Sequence, residues 1–113
     1  MTGEPIIRTP DVLNTVKYRD KYREHNLHVA ISMFNGIPVE VQITVGDFNP
    51  ATQDDTYANV DAIEGLTNAL LQNPNPWSLE AIAVTILGRK SRRPSDLPGK
   101  LAKIFIKHVR GMK

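Results

Sequence analysis

The residues best suited to chemistry lie at the end of the chain. Arg89, Lys90, Arg92 and Arg93 crowd the stretch between Gly88 and Pro94, and Lys100, Lys103, Lys107 and Arg110 follow at helical spacing. In a helix those last four fall on one outward stripe. A cationic loop leading into a cationic helix face can track a phosphate backbone, because each neutralised phosphate releases condensed counterions. These residues form the candidate nucleic-acid or polyanion site. No base-reading signature accompanies them: zinc-finger spacing, an RRM aromatic pair and a GXXG loop are all missing. Recognition would therefore be led by the backbone. The competing reading is a terminal helix whose solvent face balances an acidic body.

A second group is acidic. Asp54, Asp55, Asp61 and Glu64 surround a loop entering a helix, and Asp47 is near in sequence. Carboxylates so gathered can hold Mg²⁺ for phosphodiester hydrolysis. Acids are also expected at a helix start, where they complement the positive end of the helix dipole. His25 and His28 form a third group, spaced as a metal pair can be, but no third ligand stands out. His108 reads as a boundary residue of the last helix. Neither a Ser/His/Asp arrangement nor a glycine-rich phosphate loop is present, since the seven glycines are scattered. No catalytic residue, metal ligand or cofactor is assigned.

Composition narrows the classes further. The chain has 113 residues, of which 41% are apolar, enough for one modest core, so one domain is expected over 1–113 with a basic loop and helix at 89–113. It has no cysteine, which excludes disulfides, zinc–thiolate sites, iron–sulfur clusters and thiol nucleophiles. No apolar run approaches the ~20 residues of a membrane span. The start, Met1 to Pro5, lacks the basic and apolar regions of a signal peptide. A cytoplasmic location and no membrane partner are expected. The net charge of +2 hides an asymmetry. Residues 1–88 carry five basic groups against eleven acids, whereas 89–113 carry nine against one. A basic tail on an acidic body fits an anionic partner, either nucleic acid or an acidic protein surface.

The elements that must position these groups read as follows. Thr9, Pro10 and Asp11 form a helix-start signal, which predicts a helix over 11–24 with Leu13, Val16, Tyr18 and Tyr22 as inward candidates. The alternating signs from Lys17 to Glu24 suit an exposed helix face. Leu27, Val29, Ile31 and Met33, then Ile37, Val39, Val41, Ile43 and Val45, recur at period two around Asn35-Gly36. That is the strongest short-range hairpin signal. Pro38 lacks a ladder donor, so the second strand is expected either to begin on an edge or to pair only from Val39. Residues 46–56 read as a loop. A helix follows over about 57–72, its apolar stripe drawn from Val60, Ile63, Leu66, Ala69 and Leu70, and Asn73-Pro74-Asn75-Pro76 ends it. The alternation of Ile82, Val84 and Ile86 predicts a strand at 81–87 joining the hairpin; a helix capped by Ser78 is the alternative. The last helix spans about 96–110, with Leu101, Ile104, Phe105 and His108 or Val109 inward.

The fold expected is α+β: a small antiparallel sheet built on the hairpin at 28–45, covered by two or three helices, with a basic amphipathic C-terminal helix. One stretch resembles the core of RusA-type Holliday junction resolvases. A strand ending in a polar loop, then Asn59-Val60-Asp61, Asn68-Ala69-Leu70, Trp77 and a strand-like 82–87, follow that order. The resemblance implies a Mg²⁺-dependent nuclease. It covers about half the chain and lacks most of the family's ligands: Asn59 replaces the first Asp of the Asp-x-Asp-Asn pattern, Ala62 replaces its Asn, and Glu80 alone stands for the later acidic pair.

Three functions follow in order. The first is a small non-enzymatic binding protein that contacts nucleic acid or another polyanion through the basic loop and helix. The second is a structural or assembly subunit, viral or other, using the basic tail against an acidic neighbour, with a homo-oligomer as one form. The third is the metal-dependent nuclease.

Overall fold

The computed structural model describes residues 14–23, 25–46, 56–88 and 96–111. Strands β1 (Asn14–Tyr22), β2 (His25–Phe34) and β3 (Ile37–Val45) come first, then helices α1 (Thr56–Leu71), α2 (Leu79–Leu87) and α3 (Leu97–Gly111). The strands form one antiparallel meander in the order β1-β2-β3. Sheet and helices are segregated, so the fold is α+β as expected.

The Asn35-Gly36 hairpin is where the sequence places it. Asn35 sits at φ 54° and Gly36 at φ 78°, the left-handed pair that a two-residue hairpin turn requires. Ser32 faces Glu40 and Met33 faces Pro38, so the ladder shifts register there and Val39 is left unopposed. The bulge lies beside Pro38, which has no N–H to give. Beyond it Leu27, Val29 and Ile31 on β2 and Val41, Ile43 and Val45 on β3 form one buried face. His28, Gln42 and Thr44 stand exposed on the other.

The first predicted helix is instead a strand. β1 pairs with β2 from Asn14↔Met33 to Tyr22↔His25. Val16, Tyr18 and Tyr22 alternate with Lys17, Arg19 and Lys21, and β-branched and aromatic side chains suit a pleated surface. Pairing along the whole of β2 outweighs the local helix-start signal. The capping residues Thr9, Pro10 and Asp11, and Leu13, lie outside the described residues.

The predicted strand at 81–87 is also corrected, to the helix alternative. Ser78 caps α2, its hydroxyl accepting from Ala81 N–H at 3.0 Å. Leu79, Ile82 and Ala83 are buried at helical spacing. The outer edge of β3, where such a strand would extend the hairpin directly, is occupied by α1. The strand-like 82–87 of the resolvase resemblance fails for the same reason.

Helix α1 turns Val60, Ile63 and Leu70 toward the core as its apolar stripe predicts, but it turns Leu66 and Ala69 outward and buries two threonines. Thr56, Val60, Thr67 and Leu71 are buried, while Leu66 is 68% exposed. Polar side chains set the rotation. Asn68 bonds the Val41 main chain twice, accepting from its N–H at 2.7 Å and donating to its carbonyl at 3.0 Å. Glu64 accepts from Ile43 N–H at 2.8 Å, and Gln72 donates to the Val39 carbonyl at 2.9 Å. Residues at i, i+4 and i+8 share one helix face, so three side chains close the edge of β3. Leu66, on the far side, faces outward.

Candidate nucleic-acid interface

Helix α3 buries Leu97, Leu101, Ala102, Ile104, Phe105 and His108 and turns its cations out, as the spacing predicts. Lys103, Lys107 and Arg110 are exposed, and no carboxylate among the described residues pairs with them. Lys100 is half-buried at the margin of the stripe, its Nζ 4.0 Å from Asp20 Oδ1 of β1. Arg89, Lys90, Arg92 and Arg93 lie outside the described residues. Four of the eight candidate cations are thus placed, and three of those are fully presented to solvent.

The helix is held at a set angle by a polar cluster inside its packing face. His108 is 3% exposed. Its Nδ1 lies 2.7 Å from the Tyr18 hydroxyl and its Nε2 lies 3.3 Å from the Met33 sulfur. The two rings meet edge-on, with centroids 5.6 Å apart. A neutral imidazole protonated at Nε2 satisfies every partner: the phenol donates to Nδ1 and Nε2–H donates to the thioether. Burial pushes the imidazole below its usual pKa and the Tyr18 phenol above its own. His108 thus ties α3 to the first two strands, a larger role than that of a boundary residue.

Reading 17–24 as a helix hides a second cationic surface. On a strand, residues two apart share a face. Lys17, Arg19 and Lys21 therefore stand together on the outer face of β1, all exposed, while Asp20 turns to the inner side and meets Lys100. What reads as alternating charge on a helix is a one-signed column on a strand. The period-two row Val16, Tyr18, Tyr22 is the signal that reveals it.

Among the described residues the metal readings do not assemble. Asp61 is exposed on α1, and Glu64 is committed to the Ile43 amide. Asp47, Asp54 and Asp55 lie outside the described residues. His25 and His28 are an odd number apart on β2, which sends them to opposite faces of the sheet. Among the described residues no three His, Asp or Glu side chains converge as metal ligands would. No helix among them is long and apolar enough to cross a membrane.

The described chain is a three-stranded meander packed by three helices, with one row of cations on the outer face of β1 and another on α3. No protein-family model matches the chain, and neither a curated protein nor a solved structure is found to be similar to it.

Proposed function

We propose that this protein binds the phosphate backbone of nucleic acid through α3. The observation that carries the reading is the exposed row Lys103, Lys107 and Arg110, unpaired among the described residues, on a helix fixed by Phe105, Leu101 and His108. A fixed row of cations binds better than a mobile tail, since less side-chain and backbone freedom is lost on contact. Arg89, Lys90, Arg92 and Arg93 precede α3 in sequence and add to the basic charge of this segment. Acids dominate the rest of the chain and limit indiscriminate binding.

The test is titration of a short mixed-sequence duplex at several salt concentrations. Each phosphate contact contributes about 0.9 to the fall of log K with log salt, so the three exposed helix cations alone set a slope near −3. The variant K103E/K107E/R110E loses that binding and keeps its fold. A duplex affinity unchanged in that variant would reject the reading. Assembly is the second reading, and one observation favours it: Leu66, Val84 and Trp77 are 68%, 56% and 44% exposed. Light scattering on the same samples separates the two. A salt-sensitive oligomer that ignores the duplex is an assembly subunit.

A further inference from the structure

The outer edge of β1 can accept something that α3 cannot. In an antiparallel ladder each residue directs its N–H and C=O to one side, and the side alternates along the strand. On β3 the groups of Val41 and Ile43 point away from β2, toward α1. Carried through both registers, that assignment leaves the outward groups of β1 to Thr15, Lys17, Arg19 and Lys21. The 2.7 Å bond from the Lys21 N–H to its neighbour Asp20 agrees, since that amide faces away from β2. Among the described residues no strand lies beyond β1 and no side chain bonds the main chain of Thr15, Lys17 or Arg19. Three of the four edge residues also raise a cation on the outer face. On the inner face of the same edge Val16 is apolar and 37% exposed, beside half-buried Tyr18.

We infer that this edge is a docking site for an extended segment of a partner protein in which acidic and apolar residues alternate. Such a segment adds as a fourth strand antiparallel to β1. Its acids face Lys17, Arg19 and Lys21, which repeat every ~6.8 Å along the strand, as alternate residues of any added strand do. Its apolar residues fall on the inner side and cover Val16 and Tyr18. Two other occupants fit worse. A DNA backbone offers acceptors only, and an RNA backbone adds only its 2′-hydroxyls as donors, so either answers the cations but matches the alternating outward N–H and C=O groups poorly. A second copy of β1, paired about a two-fold axis, sets cation against cation, which is destabilising. Lysines on an edge are a known guard against self-pairing; here the same charges select the sign of the strand that is admitted.

The test uses the full chain and labelled peptides of nine residues, the length of β1, in which Glu and Val alternate. Binding is read by fluorescence anisotropy, and amide exchange is followed at Thr15, Lys17 and Arg19. Methylating the backbone nitrogens of the Glu residues, which face β1 in this register, weakens binding about tenfold or more, while methylating those of the Val residues has little effect. A peptide of the same composition with its acids in one block binds about tenfold more weakly. The reversal K17E/R19E/K21E abolishes binding, and K103E/K107E/R110E leaves it intact, which keeps this proposal separate from the reading of α3. Equal loss from both methylated peptides, equal binding of the blocked peptide, or duplex binding that depends on Lys17, Arg19 and Lys21 with no peptide binding would each overturn it.

Discussion

The two edges of this sheet are finished in different ways. Along β3, Glu64, Asn68 and Gln72 of α1 meet the main-chain groups of Ile43, Val41 and Val39, so the ladder continues into side chains. Along β1 the only described side chain that answers an outward group is Asp20, at the Lys21 amide. Exposed edges invite pairing with other chains, and proteins cover them or charge them. Here one edge is covered and the other is charged. Covering leaves an edge inert. Charging leaves its hydrogen-bonding groups available and restricts which strand can use them. The difference places any strand partner at β1 and excludes it from β3.

The sharpest way to break the contrast is to strip the cover. Asn68→Ala removes both bonds to Val41, a fully buried residue. An unpaired buried main-chain group costs about 1–3 kcal/mol, and here an N–H and a C=O are left at once, so a loss of about 3 kcal/mol is expected in urea unfolding. Glu64→Gln keeps an oxygen that can accept from Ile43 N–H, and its loss should be well below that. If Asn68→Ala costs no more than Glu64→Gln, the ladder of side chains is not what closes β3.

A second comparison concerns how the helices are fastened. Two of the three side chains that fasten α1 to β3, Asn68 and Gln72, carry no titrating group. His108 and Tyr18 hold α3 to β1 with groups that do. The folded protein keeps His108 neutral, with its pKa below the usual value because of burial. In the unfolded chain it takes up a proton near pH 6.5. The contribution is therefore fully present above about pH 6.5 and is lost as pH falls toward the lower folded value. The slope is limited to about 1.4 kcal/mol per pH unit for one proton. Tyr18 acts at the other end of the scale. Its raised pKa means that the unfolded chain loses the phenolic proton first, so stability declines as pH rises past about 10. Urea midpoints for the wild type and His108→Gln, measured from pH 5 to 8, check the acid limb. The variant is less stable at pH 8 and its curve is flatter. An equal pH dependence in both would remove His108 from the fastening.

How much of this was legible depends on where local and tertiary signals agree. They agree at 27–45, where Asn35-Gly36 supplies the turn and the apolar residues recur at period two. They agree again at α3, where Leu101, Ile104, Phe105 and His108 fall inward and the cations fall outward. They conflict at the two corrected elements. Thr9-Pro10-Asp11 signals a helix start, yet β2 offers a full partner for 14–22, and the connection between these strands carries no Asn-Gly to announce it. Arg23 takes φ 50° there, a conformation that an Arg does not advertise. At 81–87 the β-branched residues point to a strand, but the β3 edge of the hairpin is already closed by α1, and Ser78 caps a helix that buries Leu79, Ile82 and Ala83. That closure depends on Glu64, Asn68 and Gln72, three polar residues that no apolar periodicity singles out. The cationic column of β1 was hidden by the first of these errors, because charge patterns have meaning only at the right period.

The smallest effect belongs to the charged edge itself. Lys17, Arg19 and Lys21 are exposed, and no carboxylate among the described residues pairs with them. Substitutions at such sites change stability by no more than about 0.5 kcal/mol. The triple variant K17Q/R19Q/K21Q should therefore unfold at nearly the wild-type urea concentration, while Asn68→Ala does not. The triple variant also removes the like-charge repulsion that keeps one β1 from pairing with another, and it retains the outward N–H and C=O groups. It should remain folded and show a steeper rise of mass with concentration in light scattering than the wild type does. A variant that stays monomeric at high concentration would mean that the cations are not what guards this edge. A variant that loses more than about 1 kcal/mol would mean that they are part of the folded structure's support. Either result would erase the distinction between a covered edge and a charged one.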